Sequence, residues 1–391
     1  MRIGLVIPNT PQKSETFLKS KIEILENIGH RVILFSNQNE HYNLYKVIQP
    51  PIISKNRIYQ VFKMVFLCSI FFLKRPKILI RFLKLEKKDN IKFRTCWENL
   101  YINLHILNED LDWLHFGFIT MSIRRENVAQ AMRIRMSISL RGYDICVYPL
   151  KYPDCYKRLW YKVDKVHSIS QDLLNKAKKT GLKDDTLNVI IQPAINVDYF
   201  QIKQEKNKII SEKNTHFLTV ARLHWKKGLE YTLEALALIK KIGIKFNYTV
   251  IGDGVELERL IFASHQLGLN NQVNFLGYVE HNDIKKYYSE ADIYLQYSIQ
   301  EGFCNSVLEA QAMGLITIVS NAEGLSENVL DGETGFVVKK MKSDYLAAKI
   351  QYVLGLSNKS INEIRENAIS RVNKKFSLME QEHKFLDFFK Y

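Results

Sequence analysis

Ile3-Gly4-Leu5-Val6-Ile7 and Arg31-Val32-Ile33-Leu34-Phe35 are two short apolar runs, and residues 15–27 between them repeat apolar side chains at helical spacing, behind a capping Ser14 and ahead of a stop at Gly29. Strand, helix and strand in that order predict the β-α-β unit of a parallel sheet. The alternation resumes at 217–220, 248–251, 273–276, 293–295, 317–319 and 336–338, with helical segments between. Two doubly wound, Rossmann-like α/β sheets are therefore expected. The stretch 201–214 is polar, Lys-rich and without apolar periodicity, and it follows Gln192-Pro193 closely. It divides the chain into an N-terminal domain 1–200, a C-terminal domain 201–372 and a terminal helix 373–391 expected to pack back on the first domain.

The length agrees, since 391 residues at roughly 150 per domain make two or three domains. With 46% of residues hydrophobic, the chain can fill packed cores. Lys and Arg number 56 against 41 Asp and Glu, a formal charge of +15, which implies an anionic partner. The excess sits in front: residues 1–200 hold 32 basic and 18 acidic side chains, and residues 201–391 hold 24 and 23. Within 55–94 there are 12 basic residues against Glu86 and Asp89, interleaved with Phe62, Phe66, Phe71, Phe72 and Phe82. Basic heads on apolar helical faces suit an anionic membrane surface, and the alternative is a helix pair with a solvated basic face. Nucleic acid is not expected, because no helix-turn-helix, RNA-binding strand motif or zinc module accompanies the patch.

Five scattered cysteines without a Cys-x-x-Cys pair argue against a disulfide framework or structural zinc and fit a reducing compartment. The first apolar run is too short for a signal peptide. The longest, 61–73, contains Lys63 and falls short of the ~20 residues a transmembrane helix needs. The expectation is a cytoplasmic protein, peripheral on the inner face of the plasma membrane.

Open α/β sheets bind ligands where strand ends lead into helix N-termini. Such loops are expected at 222–228, at Gly252-Asp253-Gly254, at Gly277-Tyr278 and at Glu301-Gly302-Phe303. Glu301 and Glu309 flank Gly302-Phe303-Cys304-Asn305-Ser306 between a strand and a helix expected at 306–313. Asn305 could cap that helix and Glu309 would fall in its first turn, facing the same opening as Glu301. A carboxylate there can accept from two ribose hydroxyls, while free backbone N–H groups donate to sugar or phosphate. Glu309 would also be favourable at that place by the helix dipole alone.

These motifs, taken in order from Val220-Ala221-Arg222-Leu223 and Lys227-Gly228 through Gly252-Asp253-Gly254, Gly277-Tyr278-Val279 and Glu301 to Glu309-Ala310, ending at Gly332 and Gly335, resemble the retaining glycosyltransferases of family 4. The resemblance implies the GT-B fold, two Rossmann-like domains facing across a cleft, with a UDP- or GDP-sugar bound mainly by the C-terminal one. It implies that Glu309 holds the ribose, Arg222 and Lys227 the diphosphate, Glu301 and the backbone of Phe303, Cys304 and Asn305 the donor sugar, and the Gly277-Tyr278 turn the base, with Gly252 in the same donor site. No bound cofactor or metal is implied. Asp110-Leu111-Asp112 spells an Asp-x-Asp metal signature, but before an expected strand rather than after one. Cys304 stands where the family commonly has Pro, and Gln311-Ala312-Met313 replaces its usual Met-Ala run.

In the front half, Ser14-Glu15-Thr16-Phe17, Leu114-His115-Phe116-Gly117 and Ser139-Leu140-Arg141-Gly142-Tyr143-Asp144 resemble the exopolysaccharide, O-antigen and colanic-acid transferases. This implies a lipid-linked saccharide acceptor and front-side displacement, in which the leaving phosphate takes the acceptor's proton. Asn9-Thr10-Pro11-Gln12 replaces the family's Gly-Gly pair, and Arg141 falls where the family often has an active-site His. Arg cannot be a general base near neutrality, so Arg141 contacts phosphate or a donor hydroxyl, or pairs with Asp144. His115 either faces the cleft as a catalytic residue or is a satisfied core histidine. A protein that keeps the scaffold and binds nucleotide-sugar or saccharide without transfer is the alternative function.

Overall fold

The structure, a computed structural model, describes residues 1–9, 16–37, 46–201 and 214–390. The expected cap Ser14, with Glu15, Thr10, Pro11, Gln12 and most of the Lys-rich stretch 201–214, lies outside the described residues. The chain forms two compact units, Met1–Ile191 with Glu382–Tyr391, and Gln192–Gln381.

The first unit holds a parallel sheet of seven strands: β1 (Arg2–Val6), β2 (Arg31–Phe35), β3 (Lys46–Ile48), β4 (Trp113–Phe116), β5 (Arg135–Leu140), β6 (Lys165–Ser168) and β7 (Leu187–Ile190). Their order is β3-β2-β1-β4-β5-β6-β7. The second unit holds six: β8 (Thr215–Val220), β9 (Phe246–Ile251), β10 (Val273–Gly277), β11 (Ile293–Gln296), β12 (Ile316–Ser320) and β13 (Phe336–Val338), ordered β10-β9-β8-β11-β12-β13. Both follow the doubly wound order, in which strand succession reverses beside the first strand of each sheet. Registers such as Ile3 opposite Val32 and Trp113, or Ile293 opposite Phe217 and Ile316, keep every pair parallel. Helices cover both faces, so β8, β11 and β12 bury Phe217, Leu218, Ile293, Leu295, Ile316 and Ile318 completely.

The units part at Ile191 and Gln192, earlier than the division expected at 200/201. The Ile191 N–H still donates to Ser168 O at the end of the first sheet (3.0 Å), whereas Ile195 bridges to Ser377 in the second unit. At the other end the division falls inside helix Leu378–Phe388, between Gln381 and Glu382. Beyond it Phe385, Phe388 and Phe389 bury in the first unit's core with Ile3, Leu5, Leu34 and Trp113. No helix among the described residues is long and apolar enough to cross a membrane.

Candidate active site

In the second unit the switch point lies between β8 and β11, and the loops leaving their carboxyl ends carry Arg222, Lys227 and Glu301. The Tyr294 hydroxyl ties those ends together, lying 3.1 Å from Val220 O, 3.0 Å from Gln296 Oε1 and 2.8 Å from Ser306 Oγ. The loop after β8 is held from the side by Gly252-Asp253-Gly254. Leu223 N donates to Asp253 O (2.8 Å), and Gly252 adopts φ +132° with its α-carbon against the Ala221 carbonyl. A Cβ would collide with that carbonyl, so Gly252 sets the spacing of two loop backbones. Gly252→Ala is expected to destabilise the folded unit by at least the ~1–3 kcal/mol of a strained backbone, read as a lower denaturation midpoint.

Lys227 ends a short 3-10 turn, Trp225–Lys227, which His224 caps by accepting from Lys226 N (3.4 Å). Gly228 follows at φ +61°, where a Cβ would strike Tyr297 O, and opens helix Leu229–Lys241. The Lys227 ammonium pairs directly with the Glu301 carboxylate, both about five-sixths buried. Burial opposes the charge on Lys227, but the carboxylate outweighs it and holds the ammonium pKa above its ordinary value. The Glu301 loop is fastened by Ile299 N to Lys226 O (2.7 Å), Glu301 N to Glu323 Oε2 (3.0 Å) and Gly324 N to Glu301 O (3.0 Å). Arg222 is exposed on the same loop as Lys227 and makes no ion pair among the described residues. One fixed cation and one free one thus share a loop that ends at a helix N-terminus.

Glu309 lies on helix Asn305–Ala312, whose N-cap is Cys304. This corrects two expectations: Asn305 is the first helical residue rather than the cap, and Glu309 falls in the second turn, beyond the dipole's main reach. Its position is fixed instead by Tyr288, whose hydroxyl donates to Oε2 (2.9 Å), and by His281, whose Nε2 lies 3.3 Å from Oε1. Both come from helix His281–Glu290, seven residues apart and so on one face. That spacing was the available signal for two site residues the sequence reading missed. The hydrogen bond to Glu309 raises the His281 pKa, against burial.

Because the folded state favours charged His281, its contribution is present at low pH and lost as pH rises through the raised pKa. His281 is half exposed although Glu309 is buried, so His281→Gln should lower stability by under about 1 kcal/mol in acid, with the difference vanishing in alkali. Denaturation midpoints across that range would read it.

Around Cys304 the backbone is already engaged. Asn328 accepts from Cys304 N and donates to Cys304 O, both at 3.0 Å, and Arg371 secures Asn328 O (2.7 Å). The Cys304 N–H is therefore a brace for the loop rather than a free donor for a sugar. Phe303 is buried with its ring tilted against that of Phe376, centroids 5.6 Å apart, and Tyr278 is exposed on the β10 turn with its hydroxyl donating to Glu280 (3.1 Å).

In the first unit His115 is fully buried on β4 and is not an open-site residue. Its Nδ1 meets Ser137 Oγ (2.6 Å), and its Nε2 meets Lys21 Nζ (2.6 Å) and Ser139 Oγ (2.9 Å). Burial and the neighbouring Lys21 keep its pKa well down, so it is neutral. Arg141 precedes helix Gly142–Cys146 and lies 5.9 Å from the Phe118 ring centre. Burial pushes Asp144 up to about 6, opposed by its bond from Thr120 and by Arg141. Of the Asp-x-Asp pair, Asp110 binds Arg75 (2.8 Å) and Asp112 accepts from Arg2 N (2.7 Å), so both carboxylates are engaged at the amino ends of the central strands β1 and β4.

Comparison with known proteins agrees with this layout. The amylovoran biosynthesis glycosyltransferase AmsK of Erwinia amylovora is 28% identical over 250 residues, covering 61% of this chain and 60% of AmsK. The putative colanic acid biosynthesis glycosyltransferase WcaL of Salmonella typhimurium is 24% identical over 271 residues, covering 67% and 66%. The chain spans less than two thirds of the length of these relatives. Among solved structures, Anabaena HepE in complex with UDP superposes with a TM-score of 0.73 at 15% identity, covering 99% of both chains. That likeness fixes the fold, the GT-B class with two Rossmann-like domains. Residues 200–371, which contain Arg222, Lys227, Glu301 and Glu309, match the family described as glycosyl transferases group 1, and the second unit is accordingly a domain of that family.

Proposed function

We propose that the protein is a retaining glycosyltransferase that moves a sugar from a UDP- or GDP-sugar to a lipid-linked saccharide during cell-surface polysaccharide synthesis, at the cytoplasmic face of the membrane. The carrying observation is the Lys227–Glu301 pair at the β8–β11 switch point, with Glu309 held by Tyr288 and His281 on the following helix. In this reading Glu309 accepts from the ribose hydroxyls. Lys227 and Arg222 meet the diphosphate beside the start of helix Leu229–Lys241, and Glu301 orients the donor sugar. As the sugar–phosphate bond breaks, charge collects on the leaving phosphate, and cations already in place stabilise it without reorganising. The leaving oxygen then takes the acceptor's proton as the new glycosidic bond forms on the same face. Amylovoran and colanic acid synthesis, named for the relatives, supports polysaccharide as the product class. The basic helices at 55–94 support delivery of a lipid-linked acceptor at an anionic membrane surface. No metal step is needed in this scheme, and transfer is expected to survive EDTA.

Binding without transfer is the second reading, favoured by Arg141 at the place of the family's His. A panel of UDP- and GDP-sugars screened by thermal shift tests the donor assignment. A donor at 100 times its dissociation constant adds about 2.7 kcal/mol to stability. The reading fails if no member of either series shifts the unfolding transition.

A further inference from the structure

Three helices, Arg57–Lys74, Pro76–Lys88 and Phe93–Leu107, precede β4 in the first unit. The first is apolar around nearly its whole circumference, with Arg57, Lys63 and Lys74 its only charges. A helix of that kind is normally enclosed. Here only Cys68 and Phe71 are buried, while Ile58 is 85%, Phe62 71% and Leu73 81% exposed among the described residues. It is too short in apolar length to span a bilayer.

The exposed charge contributed by residues 55–94 has one sign, and the acid nearest to it, Glu98 on the third helix, is paired with Arg94 and Arg124. Glu86 and Asp89 are the only acids within 55–94, and both point inward. Glu86 is buried and accepts from Asn99 (2.7 Å) and Asn127 (2.9 Å), and Asp89 is tied to Lys162 and Asn127. Every exposed charge from this segment is positive, including Lys77, Lys84, Lys87, Lys88 and Arg94.

Between the helices opens a cavity of about 720 Å³, lined by Met64, Cys68, Phe72, Leu79, Phe93 and Trp97. Its size suits a small ligand and its walls are almost wholly apolar. Ser69 and Arg94 are the polar side chains that line it. Arg94 bonds Glu98 (3.0 Å), an exposed pair weak enough to exchange for a phosphate. Burial pushes the Cys68 thiol up to about 11, so it is a wall and not a nucleophile.

We propose that this cavity takes the hydrocarbon chain of an anionic lipid, with the lipid phosphate at Arg94, and so seats the N-terminal unit on a bilayer. The inference rests on the membrane reading given above and adds a defined chain site to it. A second copy of the protein fits less well, because it would bring the same positive surface against itself.

The test uses the full chain with phosphatidylcholine vesicles containing chain-brominated phosphatidylglycerol, reading flotation and tryptophan quenching together. Flotation with quenching of Trp97 is expected. The quenching should be lost in Trp97→Phe and mostly lost in Ser69→Phe, which fills the cavity mouth, while flotation persists in both. Val65→Phe gives the same readout should Ser69→Phe fail to fold. Flotation with quenching unaltered in the filled variants overturns the chain site and leaves membrane docking standing. No flotation on anionic vesicles overturns docking and the chain site together. Concentration-dependent dimerisation abolished by Ser69→Phe assigns the cavity to a second copy and overturns the proposal.

Discussion

Lys227→Ala is expected to lower turnover on the order of a hundredfold, comparable to removing one oxyanion donor, while the protein stays folded. The size follows from the way Lys227 is held. Its ammonium is mostly buried, pairs with Glu301 and sits on a turn locked between His224 and Gly228, so it meets developing charge with no rearrangement. The substitution also strands the Glu301 carboxylate in a half-closed loop, which adds a stability loss that thermal denaturation measures separately. Arg222 should behave differently. It is exposed and unpaired among the described residues, so Arg222→Ala should leave stability unchanged while reducing turnover. Arg222→Lys should not restore activity, because a point charge cannot reproduce the planar two-donor fork toward phosphate.

Glu309→Ala is expected to weaken nucleotide binding by roughly 1.5–3 kcal/mol, the range for a hydrogen bond to a charged group, or about 10- to 150-fold in dissociation constant. Titration calorimetry with UDP and GDP reads it directly. Tyr288→Phe keeps the carboxylate and removes one of the two groups that orient it, so its effect should be smaller and in the same direction. Glu301→Ala divides the roles: its proposed partner is the sugar, so activity should fall far more than nucleotide affinity. A Glu309→Ala protein that binds nucleotide like the wild type would remove the ribose assignment.

The strands were readable from sequence because parallel strands covered on both faces appear as continuous apolar runs, and Ile293-Tyr294-Leu295 and Thr317-Ile318-Val319 fall inside β11 and β12. Lys227 and Glu301 were legible because each sits beside a glycine in a loop that leaves a strand end, and Glu309 because it follows Glu301 by eight residues across the same loop. What orients them was not. Cys304 is braced by Asn328 from 24 residues away, and Glu309 by a helix that precedes β11, contacts that only the closed fold creates. His115 shows the opposite case. Beside Trp113 and Phe116 its sequence context suits either a cleft or a core, and the choice depends on Lys21, Ser137 and Ser139 arriving from other elements. The division at Ile191 was also hidden, since a polar linker composition marks where order changes and not where the last sheet hydrogen bond is made.

In the proposed function, this second unit's cations and carboxylates carry sugar transfer from a nucleotide donor. Release of nucleoside diphosphate by the purified protein, measured across UDP- and GDP-sugars in the presence of EDTA, tests it most directly. Release from at least one donor is expected, abolished or strongly reduced in Lys227→Ala and Glu301→Ala. Donor binding with no release, or release that EDTA stops and added Mg²⁺ or Mn²⁺ restores, would contradict it.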